Sequence, residues 1–354
     1  MHRMNAATVR IAWIRGALHV SLWTAAARRT SIEHAGAVPR PRDLPWSLRT
    51  VPSFTRRDAD RQGVHWRRLL AADLEQPFHG IHRHATGSEP TIRMLAEAYA
   101  KRMPHRQVFS HETAAELWGI PLPRHAADPG APLHVSVPAG SAVPAARGIR
   151  GHVLRFDRIG VRVHRGLRLV DPATAWIQLG GRLAEDDLVA AADFLITGSE
   201  SYDGRRPLCR RAQLEAALTV HAGCRGAASL RRALALARWG PLSRRESLLR
   251  LDLVRNGFPE PVPNLRVLAP DGSLVAMVDL AFPEFRVGLE YQGDSHRAPT
   301  AWRRDLRRLE RLADAGWSIV QVTSDDVSAD GDARDSAELA DRVRRRQRAR
   351  GWSG

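Results

Sequence analysis

The chain has 354 residues, 44% of them hydrophobic and 26% charged, with a formal net charge of +16. Such a length admits two or three domains with ample core, and such a composition argues against wholesale disorder. Of the 54 Lys+Arg, Lys101 alone is lysine, and arginine's planar fork suits phosphate oxygens, so the first partner expected is nucleic acid. Codon bias in a GC-rich genome would explain arginine over lysine, but not the excess of base over acid.

In chain order, residues 1–45 hold an apolar run broken by Arg10, Arg15 and His19. The breaks argue against a spanning helix, which needs about twenty mostly apolar residues, and against the unbroken middle of a signal peptide. We read 1–45 as a poorly ordered extension, an over-long start, with no membrane partner expected. Cys209 and Cys224 make neither a disulfide framework nor a zinc site, which fits a reduced, cytoplasmic protein.

Residues 46–90 read as a winged helix-turn-helix. Thr55 caps a short helix that ends before Gly63, and a second helix over 65–75 sets Trp66, Leu69, Leu70 and Leu74 on one side beside Arg67 and Arg68. The stretch "PFHGIHRHA" follows as a strand ribbon, with His79, His82 and His84 read as a solvated wing because no acidic or thiol partner lies nearby. A second helix so placed can enter a major groove; the plainer alternative is a helical module that braces its neighbours.

Residues 91–204 read as a mixed α/β region. A helix near 91–102 is followed by "QVFSHETAAELWGIPLP", in which Ser110 precedes a helix packing Ala114, Ala115, Leu117 and Trp118. His111 beside Glu112 reads as capping, and nothing in the region has the spacing of a catalytic site. Strands are expected at "LHVSVPA", "GHVLRF" and "VRVHRGLRLV", and Pro172 opens a helix at its first turn. Residues 205–240 read as a helical connector. The chain shows no internal repeat, phosphate-cradling loop or nucleophile elbow.

From 241 to 330 the signals sharpen. Ser243 and Glu246 form a capping box for a helix that Gly257 ends. "NLRVLAPDGSLVAMVDLAF" is a hairpin turning at Asp271-Gly272, and "FRVGLEYQ" is a third strand. With a tight turn at Pro283-Glu284, Asp279 lies opposite position 288 and diagonal to Glu290. Alternation then puts Val278, Leu280, Phe282, Val287, Leu289 and Tyr291 on a dry face and Asp279, Glu290 and Gln292 on the other. Two converging carboxylates repel unless a cation sits between them, and a hard divalent ion such as Mg²⁺ suits oxygen ligands. The competing reading is a solvated outer face. Next comes a helix with Trp302, Leu306, Leu309 and Leu312 at helical spacing, then a buried strand "SIVQVTSDDV". Residues 331–354 are an Arg-rich helix or tail, in which Arg344, Arg345 and Arg346 either hold phosphates or face solvent.

Residues 243–327, with "RRESLLR", "VDLAFPEFRVGLEYQGDSHR" and "WRRDLRRLERLADAGWSIVQVT", resemble the restriction-endonuclease-like PD-(D/E)XK superfamily. The likeness is to its branch near the very-short-patch-repair endonucleases, which holds an uncharacterised bacterial domain family. The N-terminal part is more weakly similar to abortive-infection antitoxin proteins. The resemblance implies an α/β, αβββαβ endonuclease-like domain after the winged-helix-like module and the mixed α/β middle region. It also implies Mg²⁺ or Mn²⁺ on Asp279 and Glu290, Glu246 as an auxiliary acid, and DNA as partner. Gln292 stands where the superfamily has lysine, so it can orient water only as a neutral group. His296, beside Asp294, would be a general base or a phosphate contact. Arg308 would pair locally with Asp305 or contact phosphate. The implied activity is metal-assisted phosphodiester hydrolysis in defence or repair. The alternatives are a non-catalytic DNA-binding regulator or antitoxin with a degenerate nuclease fold, with a toxin as its partner, and an RNA-directed nuclease.

Overall fold

The structure, a computed structural model, describes residues 42–128, 130–198, 204, 206–292, 299–323, 326 and 333–354. The chain divides into Met1–Arg42 and Asp43–Gly354, and every described helix and strand belongs to the second unit. The poorly ordered extension expected over 1–45 falls mostly outside the described residues, but its end does not fit. Leu44 is buried with Leu48 and Phe54, so the ordered core begins before position 46.

The first layer runs α1 (Trp46–Arg49), β1 (Ser53–Thr55), α2 (Arg56–Arg61), a 3₁₀ turn (Trp66–Leu70), β2 (Leu74–Phe78) and β3 (Ile81–His84), with the sheet ordered β1-β3-β2. Thr55 and Asp58 cap α2 reciprocally, and Gly63 follows with φ +68°. The expected α-helix over 65–75 is not formed. A 3₁₀ turn takes its place and β2 starts at Leu74, so Leu69 and Leu74 are buried while Trp66 and Leu70 stay exposed. The wing histidines are not solvated as a group either. His82 is buried and stacks on Phe54 at 5.8 Å, and His84 Nε2 pairs with Leu48 O at 2.9 Å.

The middle of the chain is a five-stranded mixed sheet of order β6-β5-β4-β8-β7. Its elements are α3 (Ile92–Ala100), β4 (Val108–Phe109), α4 (His111–Trp118), β5 (Leu133–Pro138), β6 (Ile149–Leu154), β7 (Val161–His164) and β8 (Leu167–Val170). Four helices follow: α5 (Pro172–Leu179), α6 (Glu185–Thr197), α7 (Arg211–Val220) and α8 (Ala227–Leu236). Trp176, Leu188, Leu195, Leu214 and Leu230 build one core with the sheet, and Tyr99, Phe109, Leu133 and Leu169 build a second around α3.

The last third runs α9 (Arg244–Arg255), β9 (Val262–Leu268), β10 (Leu274–Phe282), β11 (Val287–Tyr291), α10 (Pro299–Asp314), β12 (Ser318–Val322) and α11 (Ala333–Arg348). The sheet order is β12-β11-β10-β9, antiparallel except for the β11–β12 pair. Leu280, Phe282, Val287 and Leu289 pack with Leu249 and Leu253 of α9 and Leu339 and Val343 of α11. The Arg-rich segment is therefore a helix seated in this core rather than an appended tail. Val278 and Ala281 join Leu312 of α10, so both sheet faces are covered and Val278 does not share the cluster of Leu280. Leu306, expected on the apolar stripe of α10, is 42% exposed.

Helix α9 is shared with the middle region. Leu251 enters the middle core, and the buried Arg250 pairs with Asp193 of α6 at 3.3 Å. Arg244 bonds Asp187 at 2.7 Å, and Ser247 Oγ donates to Asp193 at 2.8 Å. No described helix is long and apolar enough to cross a membrane.

Candidate functional site

The turn between β10 and β11 decides what faces Asp279. Pro283–Phe285 is a 3₁₀ turn and Arg286 follows with φ 48°, a longer connection than the expected two-residue turn. The register is therefore Ala281↔Gly288 and Leu280↔Leu289, correcting the expectation that Asp279 lies opposite position 288. A shift of two positions preserves parity, so continuing the ladder one step sets Asp279 across from Glu290. The ladder stops there, and Asp279 Oδ2 accepts the Tyr291 amide at 2.8 Å. On its other side β9 is irregular: between Leu265, paired with Val278, and Pro263, paired with Leu280, stands Asn264 with φ 50°.

Glu290 is buried, not part of a solvated face, and Arg308 of α10 donates to its Oε2 at 2.5 Å. Arg308 also reaches Met277 O at 3.3 Å. Arg308 thus pairs with Glu290, a partner beyond the expected Asp305, because α10 lies over the sheet face that carries this carboxylate. Glu246 Oε2 accepts from Leu242 N at 2.9 Å and from Asn264 Nδ2 at 2.6 Å. The capping box is therefore offset by one: Ser243 Oγ takes the Glu246 amide, while the glutamate returns to Leu242. Burial pushes the Asp279 carboxyl above the ordinary carboxylate range, with the Tyr291 amide and Arg308 pulling it back. Burial raises Glu246 too, and the neighbouring Asp279 charge adds to the rise. The backbone N–H of Gln292 donates to Val322 O at 2.6 Å at the end of β11. Asp294 and His296 lie outside the described residues. Asp279, Glu290 and Glu246 thus share one region, but among the described residues they form no group of three with ligand atoms within 4.8 Å.

The arginines expected to hold phosphate divide. Arg68 is bidentate to Asp73 at 2.9 and 2.6 Å. Arg344 bonds Asp341 and Asn256 O, each at 2.9 Å, and lies over the Phe258 ring. Both are therefore structural rather than free for phosphate. Arg346 reaches Ser318 Oγ at 2.9 Å, Arg67 lies over the exposed Trp66 ring, and Arg345 is exposed with no partner among the described residues.

Sequence reasoning missed a cluster in the middle region. One ring nitrogen each of His111, His134 and His152 lie within 4.8 Å of one another, and among the described residues they are the one group of three potential metal ligands. His134 and Ser136 on β5 share a sheet face with Arg150 and His152 on β6, their register partners. His111 opens α4 with φ 52°, a left-handed backbone held by its amide bond to Gln178 Oε1 at 2.7 Å. Ser110 caps nothing with its side chain; its hydroxyl pairs with His111 Nδ1 at 2.9 Å and accepts from Ser136 Oγ at 2.6 Å. His134 Nδ1 and His152 Nε2 are 2.9 Å apart, and Glu112 Oε2 is 3.5 Å from the former. Arg182 Nε bonds Glu112 Oε1. Burial first of all lowers His111 to about 2 and His134 to about 4, the latter against the pull of Glu112, and it lowers His152 as well. A cleft of about 550 Å³ opens beside His111 and His152, with Arg155, Arg158, Arg182 and Arg225 on its walls. The signal available in the sequence was the pair of polar residues, His134 and Ser136, inside an otherwise apolar strand.

No family model matches the chain, and no solved structure matches it. The chain is similar to two proteins of Mycobacterium tuberculosis, the uncharacterized proteins MT2308 and Rv2248. Each is 28% identical over 279 residues, which cover 77% of this chain and 92% of the relative.

Proposed function

We propose that this chain binds DNA and that its C-terminal region hydrolyses phosphodiesters with a divalent ion held by Asp279 and Glu290, as a restriction-endonuclease-like protein related to the very-short-patch-repair branch. The observation that carries the reading is the element order α9-β9-β10-β11-α10-β12 with a single parallel pair, β11–β12, and Asp279 where β10 and β11 part. That order runs helix, three strands, helix, strand, the same succession the sequence resemblance implies, and so supports the reading. The donor set suits a hard cation, being all oxygen, and burial disfavours the Asp279 charge that such an ion would relieve. When bound, Mg²⁺ or Mn²⁺ would polarise the phosphoryl oxygen and acidify an attacking water.

The chain's own residues would do the remaining work. Arg308 offsets the Glu290 charge, Gln292 supplies a neutral hydrogen-bonding group where lysine would add charge, and Glu246 holds Asn264 behind Asp279. DNA would be gripped by Arg67 and Arg345, which the fold leaves on the surface. A specific observation favours a second reading, a non-catalytic DNA-binding regulator or antitoxin. Arg308 already neutralises Glu290, as it would in a nuclease fold kept only as a platform.

Incubation of the purified chain with supercoiled plasmid and Mg²⁺ or Mn²⁺, beside an Asp279→Asn, Glu290→Gln variant, separates the two. Nicking or linearisation by the wild type and not by the variant is expected. Intact DNA retardation by both, with no cleavage by either, would refute hydrolysis and leave the regulator. Absence of retardation by either would refute both.

A further inference from the structure

We propose that His111, His134 and His152 form a binding site for one divalent transition-metal ion of the zinc class, with a fourth coordination position left open. This rests on the middle region alone and is independent of the carboxylates at Asp279 and Glu290.

Two observations converge. The ligand type is imidazole, which suits zinc, cobalt, nickel or copper and not magnesium. The spacing is close to what coordination needs: two nitrogens on a tetrahedral ion at metal distances of about 2.0–2.1 Å lie about 3.3 Å apart. His134 Nδ1 and His152 Nε2 are 2.9 Å apart, so they need open by only a few tenths of an ångström. Without an ion these two nitrogens share one hydrogen bond, whose proton the ion would displace.

The surroundings are built like those of a metal centre. A ligating histidine usually has its second nitrogen engaged, which fixes ring and tautomer. Ser110, itself held by Ser136, does this for His111 Nδ1, so that Nε2 would be the ligating nitrogen. The left-handed backbone at His111 is a strained conformation of the kind that characteristically collects at functional sites. Glu112 Oε2 is buried, makes no hydrogen bond among the described residues, and lies 3.5 Å from His134 Nδ1. It would balance the ion's charge and accept a hydrogen bond from a water in the open position. The three histidines stand on a helix start and two strands, so the fold rather than a local motif assembles them. Three histidines with a free position are the pattern of sites that present a metal-bound water or ligand, here beside an arginine-walled cleft.

The test is titration of the full chain with Co²⁺ alone, followed by visible absorption, with Zn²⁺ as competitor. One equivalent of Co²⁺ is expected, with a four-coordinate spectrum lacking thiolate charge-transfer bands and erased by one equivalent of Zn²⁺. His134→Ala should weaken binding by at least a hundredfold. His152→Asn, at a half-buried ring whose loss the fold should tolerate, should do the same with the far-ultraviolet circular dichroism unchanged. Glu112→Gln should weaken binding about 10- to 100-fold, as removal of a supporting carboxylate does elsewhere. Absence of uptake, or uptake undiminished in the His152→Asn chain, would overturn the proposal.

Discussion

Arg250 and Asp193 offer a quantitative test of what joins the middle and C-terminal regions. Both side chains are 1% exposed. Arg250→Met keeps much of the volume and removes the guanidinium. It takes away the 3.3 Å pair with Asp193, the bond to Leu236 O at 2.9 Å, and the 2.6 Å pair with Glu260. Glu260 is 38% exposed, so water replaces that last partner at little cost. Asp193 is left buried with bonds from Arg238 N at 2.7 Å and Ser247 Oγ at 2.8 Å. Removing one partner of a buried pair costs about 3–5 kcal/mol, and the two remaining bonds place this site near about 3. Burial already holds Asp193 above the ordinary carboxylate range, and Arg250 is the largest influence lowering it. A raised folded pKa means the stability contribution is full below the unfolded value, about 3.9, and is lost as pH rises through the folded one. Without Arg250 the folded value climbs further, so the deficit should be largest near about pH 8 and shrink toward about pH 5. The assay is urea unfolding followed by tryptophan fluorescence at both pH values, including an Asp193→Asn, Arg250→Met chain. That double variant removes the stranded charge while keeping an acceptor, and should recover about 2 kcal/mol at the higher pH. A single-variant loss below about 1 kcal/mol, or a double variant no better than the single, would refute the reasoning.

Three further outcomes are expected. Asn264→Ala loses the bonds to Glu246 and Gly240 O and places alanine at φ 50°, whereas Asn264→Gly loses the bonds alone. Thermal unfolding should rank glycine above alanine by about 1 kcal/mol, both below wild type. Burial pushes the Cys209 thiol up to about 12, so a disulfide reagent near about pH 8 should label half-buried Cys224 first and Cys209 only after unfolding; equal native rates would contradict the buried placement. If Arg345 grips a phosphate, Arg345→Ala should reduce the salt slope of DNA binding by about 1, while Arg344→Ala should chiefly lower stability. Equal salt slopes for wild type and Arg345→Ala would count against that contact.

The elements written most clearly in the sequence were those closed by short-range hydrogen bonds. Thr55 at the start of α2, Pro172 at the first turn of α5, the Asp271-Gly272 turn and Gly257 after α9 each fix an end within a few residues. The β10–β11 register was not legible, because it depended on Arg286 adopting a left-handed conformation that its identity does not announce. The 65–75 helix failed because β2 claimed Leu74 for the sheet, a tertiary demand outweighing local propensity. Sequence pattern placed Glu290 among its polar neighbours but could not show that α10 would cover it and bring Arg308. The three histidines escaped notice because their contact is made by strand order, β6 beside β5 beside β4, and no spacing along the chain encodes it.

Asp279 is more than a charge at the edge of the sheet. Its oxygen stands in for the missing backbone acceptor of Tyr291, so the carboxylate serves as the last rung of the ladder between β10 and β11. A substitution to alanine would therefore remove a rung as well as a charge, and a lost activity could then be blamed on a frayed strand. Asparagine keeps the rung and discards the charge, so chemistry and architecture at this position can be measured one at a time.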